Sequence, residues 1–310
     1  MRRFTARRHT MSTGKKKYIQ PQITADTPAG MRIRHAAAHL VHVTDTPRLD
    51  AEILYAHAAG LSRAALLTRL RDPVPAPGFE DFVARRGASE PIAYIVGEWE
   101  FFSLPFLVRP PLLVPRPETE HLVEVALSYL QGKRAGAAGA PPGAPVLDLC
   151  TGTGCVAVAL AKQAPAYRYS ATDQAPEAVR TAGENARRHG VRLQLYEGDL
   201  FEAVPRGAAF TAIVSNPPYV GADEWDTLPP VIRNYEDPAA LLAGGDGLAL
   251  IRRIIGRAWA HLLPGGLLAL EIGETQRAAV HALFVEAGFR DIQTVIDLGG
   301  HPRIVSGLRG

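Results

Sequence analysis

After Pro145 the chain alternates short, uninterrupted apolar runs with amphipathic stretches, and this rhythm narrows the fold more than any other feature. Strands covered on both faces read as continuous apolar runs, and parallel neighbours need a long crossover, usually a helix. The runs at 146–149, 167–172, 193–197, 211–215, 267–272, 292–297 and 304–307 read as seven strands, with helices near 155–163, 176–189, 247–262 and 275–287. The implied fold is α/β: a doubly wound, Rossmann-like seven-stranded sheet whose ligands bind beyond the carboxyl ends of the strands.

The first third has a different texture. Ala37, Leu40 and Val41, then Leu49, Ile53, Leu54 and Ala58, then Leu66, Leu67 and Leu70 recur at helical steps, broken by Gly60, Pro73, Pro75 and Pro77. The spacing predicts a small N-terminal helical domain over 31–90, its apolar stripes buried against one another. Residues 91–115 carry Tyr94, Trp99, Phe101, Phe102 and Phe106 among prolines and are expected to form a β-hairpin linker. The α/β domain then takes 116–310, opening on a helix favoured by Pro117, Glu118 and Glu120 and interrupted by a flexible loop at 132–145. Residues 1–30 lack the apolar segment of a secretory signal and read as a disordered basic extension.

Seven positive charges, Arg2, Arg3, Arg7, Arg8, Lys15, Lys16 and Lys17, stand in a stretch of that extension, residues 2–17, that holds no acid; taken from the chain's net +3, they leave about −4 for the body. A body of that sign lacks the basic field that duplex DNA demands, so no direct DNA binding is expected. No 18-residue apolar run offers a membrane span. Two cysteines, Cys150 and Cys155, have neither the number of a disulfide framework nor the spacing of a zinc site. His35, His39 and His42 share a helix face with no acid or thiol beside them, and no metal is expected there. A cytoplasmic monomer is the expectation.

Functional residues concentrate after two strands. The first strand runs through Asp148 into Cys150-Thr151-Gly152-Thr153-Gly154 and an apolar helix. Glycines tolerate positive φ and let a ligand approach the free amides of a helix N-terminus. Asp173 closes the second strand, placed to accept from a ribose diol. Gly152-x-Gly154-x-x-Ala157 fits a dinucleotide as well as S-adenosylmethionine. Two carboxylates favour the latter. Asp148, inside the strand, suits the methionine ammonium and would repel a pyrophosphate, and Asp199 ends the third strand.

The fourth strand ends in Asn216-Pro217-Pro218-Tyr219, in the same crevice. A conjugated amino nitrogen is a poor nucleophile. If the Asn216 side-chain oxygen and the Pro217 carbonyl each accept one N–H, its lone-pair face is held towards an electrophilic methyl, with Tyr219 stacked on the planar group. Asn216, Pro217 and Tyr219 are therefore the expected catalytic residues.

These motifs, with Pro115-Arg116-Pro117-Glu118-Thr119-Glu120, Tyr235-Glu236-Asp237-Pro238, Gly244-Gly245-Asp246-Gly247 and Glu271-Ile272-Gly273, resemble the peptide chain release factor N5-glutamine methyltransferases (PrmC/HemK family) over about residues 31–310. The resemblance implies a class I methyltransferase domain using S-adenosyl-L-methionine. It also implies methylation of the glutamine in the Gly-Gly-Gln motif of class 1 peptide chain release factors. By position it assigns Cys150, Thr151, Gly152, Thr153, Gly154, Asp173, Leu200 and Asn216 to the cofactor, beside Asp148 and Asp199, and Asn216, Pro217, Pro218 and Tyr219 to the substrate. Cys150 stands where the family often has glycine, and Leu200 where it often has an aromatic residue. Rival readings are glutamine methylation of a ribosomal protein, adenine-N6 methylation of nucleic acid, and NAD-dependent oxidation. For Glu118 and Glu120, helix-dipole stabilisation stands beside direct contact, and for Arg116 a carboxylate pair does.

Overall fold

The computed structural model describes residues 24, 26–135, 137 and 139–310. The seven basic residues of the expected extension lie outside them, while residues 29 and 30 already belong to the first helix.

Five helices come first: Ala29–Leu40 (α1), Pro47–Ala58 (α2), Arg63–Leu67 (α3), Phe79–Gly87 (α4) and Ile92–Val96 (α5). Pro47 opens α2 at a position where the missing N–H costs nothing, and Ser62 caps α3 by accepting from the Ala65 amide at 3.2 Å. Ile33, Leu40, Leu54, Tyr55, Leu66 and Phe79 are buried together. The hairpin is shorter than the sequence suggests. Residues 92–96 form a helix that Gly97 ends at φ 76°, and only Glu98–Phe101 (β1) and Leu104–Leu107 (β2) pair, across a turn with Phe102 and Ser103 at φ 51° and 58°.

A 3-10 turn at Pro117–Thr119 leads into Glu120–Leu130 (α6). The sheet follows: Pro145–Leu149 (β3), Cys155–Gln163 (α7), Arg168–Asp173 (β4), Pro176–Arg188 (α8), Leu193–Glu197 (β5), Phe210–Ser215 (β6), Pro230–Arg233 (α9), Ala249–His261 (α10), Leu262–Glu271 (β7), Arg277–Glu286 (α11), Phe289–Ile296 (β8) and Pro302–Arg309 (β9). The strand order is β5-β4-β3-β6-β7-β9-β8, parallel from β3 to β7, with β9 antiparallel to both neighbours. Alternate strand residues face opposite layers. Val146, Ala212 and Leu267 join α6 and α7, while Leu147, Ile213 and Leu268 join α10 and α11. The expected flexible loop at 132–145 is anchored in its first part, where Arg134 donates to Ser306 Oγ at 2.9 Å and to the Asp291 carbonyl at 2.8 Å.

Winding reverses between β3 and β6, which are hydrogen-bonded neighbours. Connections leave that point towards opposite sheet edges, so the loops after β3 and β6 part and open a crevice. Among the described residues no helix is long and apolar enough to cross a membrane, and no group of three or more His, Cys, Asp or Glu is placed to hold a metal.

Candidate active site

The crevice is lined by Asp148, Cys150, Thr151, Gly152, Thr153, Asp173, Asp199, Leu200, Asn216 and Pro218, with Leu112, Leu113, Pro115, Arg116 and Thr119 from the chain before α6. β3 enters it through a turn in which Cys150, Gly152 and Gly154 have φ of 57°, 55° and 80°. Asp148 Oδ2 accepts from the Thr151 hydroxyl at 2.6 Å and from the Ala157 amide at 3.2 Å, so the carboxylate itself shapes the turn. Burial pushes its pKa up to about 7 despite those two donors. Asp173 accepts from the Gly152 amide at 2.9 Å and the Ala175 amide at 3.0 Å, which fixes its carboxylate at the crevice wall; burial raises it as well. Burial likewise pushes the Cys150 thiol up, so it stays protonated and acts as a small apolar wall.

Three expected cofactor residues behave differently from the others. Gly154 does not line the crevice: a Cβ there would stand 2.8 Å from the Ala182 Cβ, so glycine is required for the close packing of α7 on α8. Asp199 is half exposed and already paired with Arg253 at 2.6 Å. Leu200 is buried at φ 48°, a strained conformation for a branched residue, and presents a small apolar surface.

Of the Asn-Pro-Pro-Tyr segment, Asn216 and Pro218 line the crevice and Pro217 and Tyr219 do not. Ser215 Oγ donates to the Leu149 carbonyl at 2.8 Å, joining the ends of β6 and β3 and setting where the segment departs. Asn216 Nδ2 donates to Thr119 Oγ1 at 3.1 Å. The Tyr219 ring packs on the apolar layer beneath, and its hydroxyl lies 3.3 Å from Glu271 Oε1, so it is turned away from the stacking position expected of it. The Tyr219 carbonyl accepts from Gln276 Nε2 at 2.8 Å.

The Pro-Arg-Pro-Glu-Thr-Glu run forms the opposite wall. Arg116 Nη2 reaches both oxygens of Glu236 at 2.7 Å, which is the carboxylate pair weighed for it. Glu120 accepts from the Phe102 amide at 2.7 Å and fastens the hairpin turn. Thr119 and Glu271 entered the sequence reading only inside longer runs, and Gln276 in no motif. They reach the Asn-Pro-Pro-Tyr segment from distant parts of the chain, 97, 52 and 57 positions away, and no spacing rule reports such meetings.

Comparison with known proteins finds relatives of both parts of the chain. The profile described as PrmC N-terminal domain matches residues 33–97, and that described as Methyltransferase small domain matches residues 138–232. The release factor glutamine methyltransferase of Geobacter sulfurreducens is 42% identical over 270 residues, covering 86% of this chain and 91% of the relative. That of Cereibacter sphaeroides is 45% identical over 267 residues, covering 84% and 91%. A crystal structure of a methyltransferase from Pyrococcus furiosus, 19% identical with a TM-score of 0.50, covers 74% of this chain and 99% of that one, and speaks for the fold alone. With relatives of this identity matching both the helical and the α/β parts, the chain belongs to the release factor glutamine methyltransferase family.

Proposed function

We propose that this chain moves a methyl group from S-adenosylmethionine to the side-chain amide nitrogen of the Gly-Gly-Gln glutamine in class 1 release factors. The observation that carries the reading is the convergence of Asp148, Asp173 and Asn216 on one crevice, with the Asn216 amide nitrogen tied back to Thr119. The residues suit the cofactor. A buried carboxylate raised to about 7 gains most from a cation such as an ammonium, a wall carboxylate suits a ribose diol, and Leu200 offers an apolar face to a base.

When bound, S-adenosylmethionine supplies an electrophilic sulfonium methyl. Asn216 Oδ1 accepts one amide hydrogen of the glutamine, and the Pro217 carbonyl oxygen, which is next in the chain but does not line the crevice, would accept the other as the substrate enters, turning its nitrogen lone pair towards that carbon. The glutamine nitrogen would take the methyl, the C–S electron pair would remain on the cofactor's sulfur, and the nitrogen would shed one proton to solvent. No strong base is required, because orientation and hydrogen-bond acceptance do the activating. In this reading the protein works in the cytoplasm as a monomer, on a protein and not on DNA.

Incubation of a recombinant release factor with the enzyme and cofactor, followed by mass spectrometry, should show one added methyl on that glutamine. Asn216→Ala should lower kcat by roughly 100- to 1,000-fold while affinity for S-adenosylhomocysteine changes by less than about threefold. Full turnover by this variant would overturn the assignment.

A further inference from the structure

We propose that Thr119 and Glu271 are positioning residues that decide which end of the Asn216 amide faces the crevice. The inference rests on the methyl-transfer reading above. A carboxamide has two ends of nearly equal size, of which only the oxygen can accept a substrate N–H. If the amide flipped, donors would meet donors and the glutamine nitrogen would be turned away.

The structure contains a reason for it not to flip. Thr119 is 2% exposed and Glu271 1% exposed, so water does not compete for either. An ionised carboxylate only accepts. Glu271 Oε1 takes the Tyr219 hydroxyl, its Oε2 has no hydrogen-bond partner among the described residues, and the Thr119 hydroxyl is near enough to favour the ionised carboxylate. A threonine hydroxyl has a single proton. Drawn towards Glu271, it leaves only a lone pair for Asn216, and Nδ2, which lies 3.1 Å from Thr119 Oγ1, is the one end of the amide able to use it. Oδ1 must then face the crevice.

The device is sensitive to protonation. Burial pushes Glu271 up to about 7. Among the charged and titratable groups facing it, Glu118 on the turn before α6 opposes its ionisation and Arg303 on β9 favours it, the Thr119 and Tyr219 hydroxyls pull the pKa down, and the Cys155 thiol at the start of α7 stays neutral. Protonated Glu271 becomes a donor to Thr119, whose own proton then turns towards Asn216 and favours the flipped amide.

The test compares Thr119→Val, Thr119→Ser and Glu271→Gln in the full chain, using kcat and KM for a release factor, calorimetry with S-adenosylhomocysteine, and kcat against pH at saturating cofactor. Thr119→Val should lose roughly 10- to 100-fold in kcat with cofactor affinity unchanged, and Thr119→Ser should restore kcat to within about threefold of wild type. Wild-type kcat should fall as pH drops below about 7, and Glu271→Gln should remove that limb. Wild-type kcat in Thr119→Val, a serine variant no better than valine, or an unchanged acid limb in Glu271→Gln would each overturn the proposal. If Asn216→Ala is inactive while Thr119→Val is not, only the positioning role fails. An active Asn216→Ala removes the methyl-transfer reading itself.

Discussion

Asp148 carries two opposing consequences of burial. Its unfolded pKa is near the ordinary 3.8 and its folded value about 7, so between those values the folded chain binds the extra proton. The group therefore favours folding at low pH, and that contribution disappears as pH rises through about 7. A bound ammonium reverses the preference, because it is attracted only to the ionised form. Affinity for S-adenosylhomocysteine should rise between pH 5.5 and about 7, approaching tenfold per unit at the acid end, and then level off. Asp148→Asn should bind roughly 10- to 100-fold more weakly and lose the slope. Isothermal titration across that range decides the matter, and a flat wild-type profile would separate Asp148 from the ammonium. The place of Asp148 was legible in the sequence, since an acid inside an apolar strand needs a purpose. Thr119 was not, because its role depends on a contact 97 positions along the chain.

At the scale of elements, a support beneath the Asn-Pro-Pro-Tyr loop determines its course. Val220 exchanges backbone bonds with Leu241 and Ala243, and Gly247, at φ 70°, passes so close that a Cβ would stand 2.2 Å from the Tyr219 carbonyl oxygen and 2.7 Å from Gln276 Nε2. Gly247→Ala should push this loop out of place, costing about 1–3 kcal/mol of stability. It should also lower kcat by roughly 10-fold or more, leaving cofactor affinity nearly intact because the turn after β3 is untouched. Thermal melts with steady-state kinetics test this, and a variant with normal kcat would show that the loop tolerates displacement. The strands were readable from their apolar runs because the sheet is covered on both faces. Two departures have physical causes. Ile92–Val96 has the β-branched and aromatic composition of a strand, yet Pro91 and Gly97 bracket one helical turn that packs on the helical core through Ile95. β7 reaches back through Pro264, Gly265 and Gly266 to pair Leu262 with Phe210 across an irregularity, where sequence punctuation indicates a loop.

In the whole molecule, a buried side chain joins the hairpin to the crevice. Asn185 on α8 is 0% exposed; its Oδ1 accepts from the Leu107 amide at 2.8 Å, and its Nδ2 donates to the Leu107 carbonyl at 3.1 Å and the Thr153 carbonyl at 2.9 Å. It thus connects β2, α8 and the glycine turn at a single point. Around it the hairpin and the strap after it make exposed contacts with α8, Arg188 with Glu98 at 2.8 Å and Arg109 with Glu184 at 2.6 Å. Exposed pairs are worth little after screening, whereas a deserted buried donor or acceptor carries its full desolvation cost. Asn185→Ala leaves three backbone groups without that partner and should destabilise the fold by about 2–4 kcal/mol, several degrees in Tm. Because Thr153 lines the crevice, cofactor affinity should fall with it. Arg188→Ala should stay within about 0.5 kcal/mol of wild type with normal affinity. Melting curves and calorimetry on both variants compare the two kinds of contact directly. Were Arg188→Ala the more damaging of the two, the hairpin would be held by surface charge, and the buried amide would not be what relates the helical part to the methyl-transfer site.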